Sequence, residues 1–195
     1  MEKTYSYLAL GDSYTIGEGV PIHDSFPYQT TQILRKAGHT FSAPEIVAKT
    51  GWTTNELLEG IEHLNLLKYY DFASLLIGVN NQYRGRSIDE YEMQFEELLQ
   101  KTWLVSPNII VLSIPDWGAT PFAADRNRKR IAAEIDTFNK VNEALAAKHK
   151  AYYVDITPST RNPNDTLLAA DKLHPSGKEY YRWAQEVAAI INKLL

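Results

Sequence analysis

A serine, a histidine and an aspartate carry most of the chemistry that this sequence can offer, because it contains no cysteine. Disulfides, thiolate metal sites and thiol nucleophiles are thereby absent, which leaves serine or carboxylate chemistry. Ser13 stands in Leu8-Ala9-Leu10-Gly11-Asp12-Ser13-Tyr14-Thr15, where an apolar run stops abruptly at a glycine. Near the other end, Asp171-Lys172-Leu173-His174 sets a carboxylate and an imidazole three residues apart. A serine hydroxyl is a poor nucleophile until a base takes its proton, and a neutral imidazole suits that task. A carboxylate on the other ring nitrogen fixes the tautomer and stabilises the imidazolium. Ser13 thus reads as nucleophile, His174 as general base and Asp171 as the group that orients it. Acyl transfer also needs donors for an oxyanion, and the Gly51 backbone N–H and the Asn80 amide are placed to supply them. Each residue has a plainer alternative. Gly-Asp-Ser is a common turn, Asp171 or His174 can cap a helix, Gly51 can simply turn the chain, and Asn80 can bond its own loop.

These residues need elements that bring them together. The run from Tyr5 to Leu10 is too apolar to face water on either side and reads as the central strand of a parallel sheet. Tyr14 to His23 reads as a loop or a frayed helix start. A helix capped by Asp24 or Ser25 follows, running to about Ala37, where Gly38 ends it. Pro44 to Lys49 is a short second strand. The next helix starts at Asn55, capped by Thr53 or Thr54, and is expected to reach Leu67 on the spacing of Leu57, Leu58, Ile61, Leu64 and Leu67. Tyr70 to Ile77 is a third strand ending in Gly78. Helices from about Ser87 or Asp89 to Val105 and from Arg126 to His149 flank the fourth strand, Asn108 to Ser113, and Tyr152 to Asp155 is the fifth. Ile156 to Lys172 reads as a loop, and Pro175 is expected in the first turn of the last helix. Strand and helix alternate five times, which specifies a parallel sheet with right-handed crossovers, an α/β/α sandwich of three layers in one domain over residues 1–195. The longest connections, Gly11 to His23, Pro115 to Arg126 and Ile156 to Lys172, all follow strand C-termini and so share one rim. Ligands of open α/β sheets bind there.

Gly11-Asp12-Ser13-Tyr14, Gly51, Gly78-Val79-Asn80-Asn81 and Asp171-Lys172-Leu173-His174 resemble, in order, the four sequence blocks of the SGNH hydrolases, the GDSL-type esterases and lipases. The resemblance spans nearly the whole chain. It implies a flavodoxin-like five-stranded sandwich, a Ser13–His174–Asp171 triad, and an oxyanion hole made of the Ser13 and Gly51 backbone N–H groups and the Asn80 side chain. Two positions depart from the pattern. Asn81 replaces the acid usual after the third-block asparagine, which keeps the oxyanion donor and leaves open the bonding that the acid provides. Tyr14 replaces the leucine of the strict GDSL pattern and points to the wider group. The Gly-x-Ser-x-Gly elbow of α/β-hydrolases is disfavoured, since Thr15 stands where its second glycine would be.

The expected activity is a serine esterase acting on short-acyl or acetyl esters through an acyl-enzyme. A lysophospholipase or thioesterase acting on lipid acyl groups, and an acyltransferase on the same triad, are the alternatives. A non-catalytic flavodoxin-like binding module is the least supported, because neither Gly-x-Gly-x-x-Gly nor a Walker A sequence occurs. Trp52, Tyr83, Trp117 and Phe122 fall in rim loops, where they can hold an acyl chain, stack on a sugar or merely pack the rim. Arg84 and Arg86 lie beside Asn80 and could meet an anionic leaving group, whereas the Arg126, Arg128, Lys129 and Arg130 cluster reads as a solvated face. No long apolar lid is visible, which favours small acyl groups. His23, His39, His63 and His149 show no metal-ligand spacing, so neither metal nor cofactor is expected. A net charge of -4 without a basic run argues against nucleic acid and anionic membranes as partners, leaving a small-molecule ester. No apolar run approaches a membrane span and no leader pattern opens the chain, so the expected location is cytoplasmic, unless a signal peptide has been removed. Oligomeric state is not readable.

Overall fold

The apolar runs ending near Gly11, Gly78 and Ser113 become strands without a single exposed residue, as strands covered on both faces must be. In this computed structural model, which describes residues 3–162, 164 and 166–195, the strands are β1 (Thr4–Tyr5), β2 (Tyr7–Gly11), β3 (Thr40–Phe41), β4 (Glu45–Ala48), β5 (Phe72–Leu76), β6 (Ile109–Leu112) and β7 (Tyr152–Val154). The main sheet is parallel in the order β4-β2-β5-β6-β7, and β1 pairs with β3 in a separate two-stranded ladder. The expected strand from Tyr5 to Leu10 is therefore split. Ser6 bonds the Asp71 carboxylate through its N–H and its hydroxyl, which takes it out of the ladder and leaves Tyr5 opposite Phe41.

The helices are α1 (Ser13–Ile16), α2 (Phe26–Lys36), α3 (Thr54–Glu62), α4 (Val79–Tyr83), α5 (Ile88–Trp103), α6 (Arg128–Lys148), α7 (Thr157–Thr160) and α8 (Gly177–Leu194). α2 packs on α8, while α3 and α6 pack on α5, and these two layers enclose the sheet. The inner face expected for α5 is Tyr91, Phe95, Leu98, Leu99 and Trp103; the first four are fully buried, while Trp103 at the helix end is half-buried. Two boundaries differ from expectation. α3 stops at Glu62, and Leu64 and Leu67 are half exposed, because the leucine spacing continues past the point where any element covers that face. Pro175 lies outside α8: it bridges Leu168 in an antiparallel pair, and the helix begins at Gly177 after Ser176.

The chain enters the sheet at β2, crosses to β4 on one side, then to β5 on the other. The crevice at this reversal, beyond the C-terminal ends of β2 and β5, is where doubly wound sheets bind ligands. Ser13 follows β2, and Asn80 follows β5.

Candidate active site

Ser13 is delivered by a turn that only glycine permits. A Cβ on Gly11 would lie 2.1 Å from Thr15 Oγ1 and 2.3 Å from the Leu76 carbonyl oxygen, so the strand must end in glycine for α1 to start directly against it. Asp12 caps that single turn, its Oδ1 accepting from the Tyr14 N–H at 3.0 Å. The segment expected as a loop or frayed helix thus begins as an ordered turn with Ser13 as its first residue.

His174 and Asp171 are held by a hairpin-like return of the chain. Leu168 bridges Pro175, the Ala169 N–H donates to the His174 carbonyl at 2.8 Å, and the Ser176 N–H donates to the Leu167 carbonyl at 2.8 Å. Asp171 does not cap α8, which starts at Gly177 after Ser176; it bonds within the turn that precedes the helix. Its Oδ1 accepts from the Leu173 and His174 N–H groups, each at 3.0 Å, and its Oδ2 lies 2.6 Å from His174 Nδ1. His174 Nε2 lies 2.9 Å from Ser13 Oγ. A carboxylate, an imidazole and a hydroxyl are so joined across 161 residues of chain, the connectivity by which a hydroxyl proton can be drawn onto a ring nitrogen. Burial alone would raise the Asp171 carboxyl, but the bonds from the His174 side chain and from the two N–H groups outweigh it and hold it below the usual range. The Tyr14 ring packs against the His174 ring with centroids 5.0 Å apart, a contact with no warning in the sequence beyond Tyr14 being aromatic.

Gly51 and Asn80 reach the same place from β4 and α4. Gly51 adopts φ +85° and lines the cavity with Ser13, Asn80 and His174. Its carbonyl accepts from Arg84 Nη2 at 2.6 Å, and Arg84 Nη1 bonds Glu56 at 3.1 Å. Asn80 Nδ2 donates to the Trp52 carbonyl at 3.0 Å and to Asp12 Oδ2 at 3.3 Å. The departure at Asn81 has a local explanation. Fully buried Asn81 accepts from the Thr54 N–H at 3.1 Å and donates to Thr54 Oγ1 at 2.7 Å, which leaves the Thr54 hydroxyl to donate to Gln94. An aspartate could accept but not donate. α4 and the arginine after it therefore grip the loop 51–54 at three successive points. The sequence does not announce this use of Arg84, whose place beside Asn80 suggests a leaving group as its partner. Asp12, fully buried, was also passed over. Desolvation pushes its carboxyl up to about 7, offset in part by the bonds from Tyr14 and Asn80.

Ser13, Gly51, Asn80 and His174 line a cavity of about 200 Å³ whose remaining walls are Tyr14, Thr50, Val79, Tyr83, Trp117, Phe122 and Leu173. Three of the four rim aromatics are present. Trp52 is elsewhere: its ring packs on Gly60 of α3, where a Cβ would meet it at 2.3 Å, and only its carbonyl contributes near the site. No group of three or more potential metal ligands occurs among the described residues.

The sequence matches the family model described as the GDSL-like Lipase/Acylhydrolase family over residues 9–182, and the chain belongs to that family. Its fold is similar to that of TesA (TM-score 0.79, 19% identity, covering 99% of this chain and 100% of that one). It is similar also to Axe2, an acetylxylan esterase from Geobacillus stearothermophilus (TM-score 0.76, 17% identity, 94% of this chain and 92% of that one). A third likeness is to a lipase/acylhydrolase from Enterococcus faecalis (TM-score 0.77, 20% identity, 98% and 97%). No curated protein matches the sequence. The chain is a hydrolase acting on ester bonds, and none of the helices among its described residues is long and apolar enough to cross a membrane.

Proposed function

We propose that this member of the GDSL-like lipase/acylhydrolase family cleaves short-acyl, chiefly acetyl, esters with Ser13 as nucleophile, His174 as base and Asp171 as its orienter. The observation that carries the reading is the contact of Ser13 Oγ with His174 Nε2 at 2.9 Å, backed by Asp171 at 2.6 Å. Ser13 Oγ attacks the ester carbonyl carbon while His174 Nε2 takes its proton. The oxyanion is met by the Ser13 and Gly51 N–H groups and by Asn80 Nδ2, which gives up its longer bond, that to Asp12. Collapse of the tetrahedral intermediate breaks the bond to the alcohol, which leaves with the proton from His174. Water then attacks the acyl-enzyme by the same route and frees Ser13.

Two observations support a short acyl group. The cavity of about 200 Å³ is below the roughly 300–1,000 Å³ of clefts that bury drug-sized ligands, and Axe2, with a similar fold, is an acetylxylan esterase. The test is a series of p-nitrophenyl esters from acetate to palmitate. The reading expects kcat/KM to be highest at two to four acyl carbons and to fall beyond. An optimum at long chains would replace it with a lipid acylhydrolase.

A further inference from the structure

A short acyl group fills only half of an ester, and the alcohol half must leave the cavity past one of its walls. One wall is an aromatic ridge. Tyr83 and Phe122 are each 49% exposed and stand edge-on to buried Trp117, with centroids 5.3 and 6.1 Å away. Tyr83 and Trp117 also line a second, open groove of about 460 Å³, so they form a wall common to both spaces.

The ridge is anchored from the groove side. The Trp117 indole N–H donates to Gln82 Oε1 at 2.6 Å, Gln82 Nε2 donates to Glu134 at 2.7 Å, and Arg130 Nε donates to Glu134 at 2.7 Å. A wall fixed in this way loses little freedom when a ligand lands on it. Beyond it the groove presents two carboxylates, Asp125 and Glu134, and two guanidiniums, Arg126 and Arg130, and so has no net charge. The side chains of Asp125 and Arg126 have no hydrogen-bond or ion-pair partner among the described residues. A long acyl chain laid here would strip water from charged groups and return nothing. An anionic leaving group would gain from one pair and lose to the other. A neutral polyol suits both, since each hydroxyl can donate to a carboxylate and accept from a guanidinium, and the apolar face of a sugar ring can lie on Tyr83.

We propose that this groove is a leaving-group subsite for the glycosyl part of an acylated sugar, with Tyr83 as platform and Asp125 and Arg126 as its hydrogen-bonding edge. The proposal rests on the serine-esterase reading above and goes beyond it by naming the alcohol. Two acetyl esters that differ only in that alcohol separate the two ideas: p-nitrophenyl acetate and a mono-O-acetylated methyl glucoside. The readout is the ratio of their kcat/KM values in wild type, Asp125→Ala, Arg126→Ala and the double variant, each checked for folding by its melting temperature. The ratio, glucoside over aryl ester, is expected to fall about tenfold in each single variant, the worth of one hydrogen bond to a charged group, mostly through KM, and further in the double variant. An unchanged ratio, or a wild type that cleaves the aryl ester but not the glucoside, overturns the subsite while the esterase stands. A wild type that cleaves neither overturns the esterase reading, and the subsite with it. Preference for lysophosphatidylcholine over the glucoside assigns the groove to a lipid headgroup and overturns the proposal as well.

Discussion

Replacing Gly51 by alanine should cost stability and leave turnover nearly intact. Gly51 sits at φ +85°, and a Cβ there would meet only Arg84 Nη2, at an ordinary contact distance of 3.6 Å. The penalty is therefore in the backbone alone. A non-glycine residue in the left-handed region costs about 1–2 kcal/mol, partly offset by the lower unfolded-state entropy of alanine, about 0.4–1 kcal/mol. A net loss of about 1 kcal/mol should lower the melting temperature by roughly 2–4 °C in a chain of this length. The strained peptide could escape by turning over, but that would carry the N–H out of the cavity, and removing one oxyanion donor costs about 10²–10³ in kcat. The peptide that would turn joins Thr50 to Gly51, and it must do so beside a clamped loop: Arg84 Nη2 holds the next carbonyl, that of Gly51, at 2.6 Å, and Asn80 Nδ2 holds that of Trp52 at 3.0 Å. The expected outcome is a lowered melting temperature with kcat on p-nitrophenyl acetate within about threefold of wild type, far short of the loss of a donor. An unchanged melting temperature with a hundredfold lower kcat would refute the reasoning, because the loop would then have relaxed at the expense of the donor.

Arg84→Ala should release that anchor and lower kcat about tenfold, the effect of losing one charge-assisted bond, with KM little changed and Arg84→Lys recovering part of the loss; a changed melting temperature with unchanged kcat would make Arg84 purely structural. Asp171→Asn keeps an oxygen to accept from the Leu173 and His174 N–H groups, so folding measured by urea titration should be preserved, while the wrong tautomer at His174 lowers kcat by as much as about 10⁴-fold. The buried Asp12 carboxyl, raised to about 7 from 3.8 by desolvation, binds a proton more tightly folded than unfolded. Its contribution to stability is thus fully present below pH 4, falls as pH rises from about 4 to 7, and is level above that, a loss of a few kcal/mol at about 1.4 kcal/mol per unit. Urea unfolding of wild type and Asp12→Asn at pH 5 and pH 8 checks this: the difference between the two pH values should be smaller in the variant, and equal slopes would argue against a raised Asp12.

The alternation of strands and helices was legible because period and composition report burial directly, and β2, β5 and β6 are buried on both faces as their apolar runs require. Residues with distinctive chemistry were legible for another reason: Ser13, Gly51, Asn80 and Asp171-x-x-His174 each have a plainer use alone, but occur together in the order of the four family blocks, and Ser13, Gly51, Asn80 and His174 line one cavity. What escaped was the direction of side chains and the ends of elements. Trp52 is in a rim loop, yet its ring turns outward onto Gly60, because that glycine leaves a hollow on α3 which spacing does not announce. Leu64 and Leu67 keep helical period beyond the residues that anything covers. The grip of Arg84 on Gly51 joins residues 33 apart, so no local pattern could show it, and the antiparallel bridge of Leu168 with Pro175 is a short return that lacks the alternating apolar pattern of a strand pair. Asn81 was marked as a departure, and its reason became visible only with Thr54 beside it.

The most direct test of the account is the intact mass of the protein quenched during turnover of p-nitrophenyl acetate, followed by peptide mapping. The account predicts one acetyl group on the peptide that contains Ser13, absent in Ser13→Ala, with hydrolysis lost in that variant. Undiminished hydrolysis by Ser13→Ala, or an acetyl group on another residue that turns over at the rate of the reaction, would contradict it.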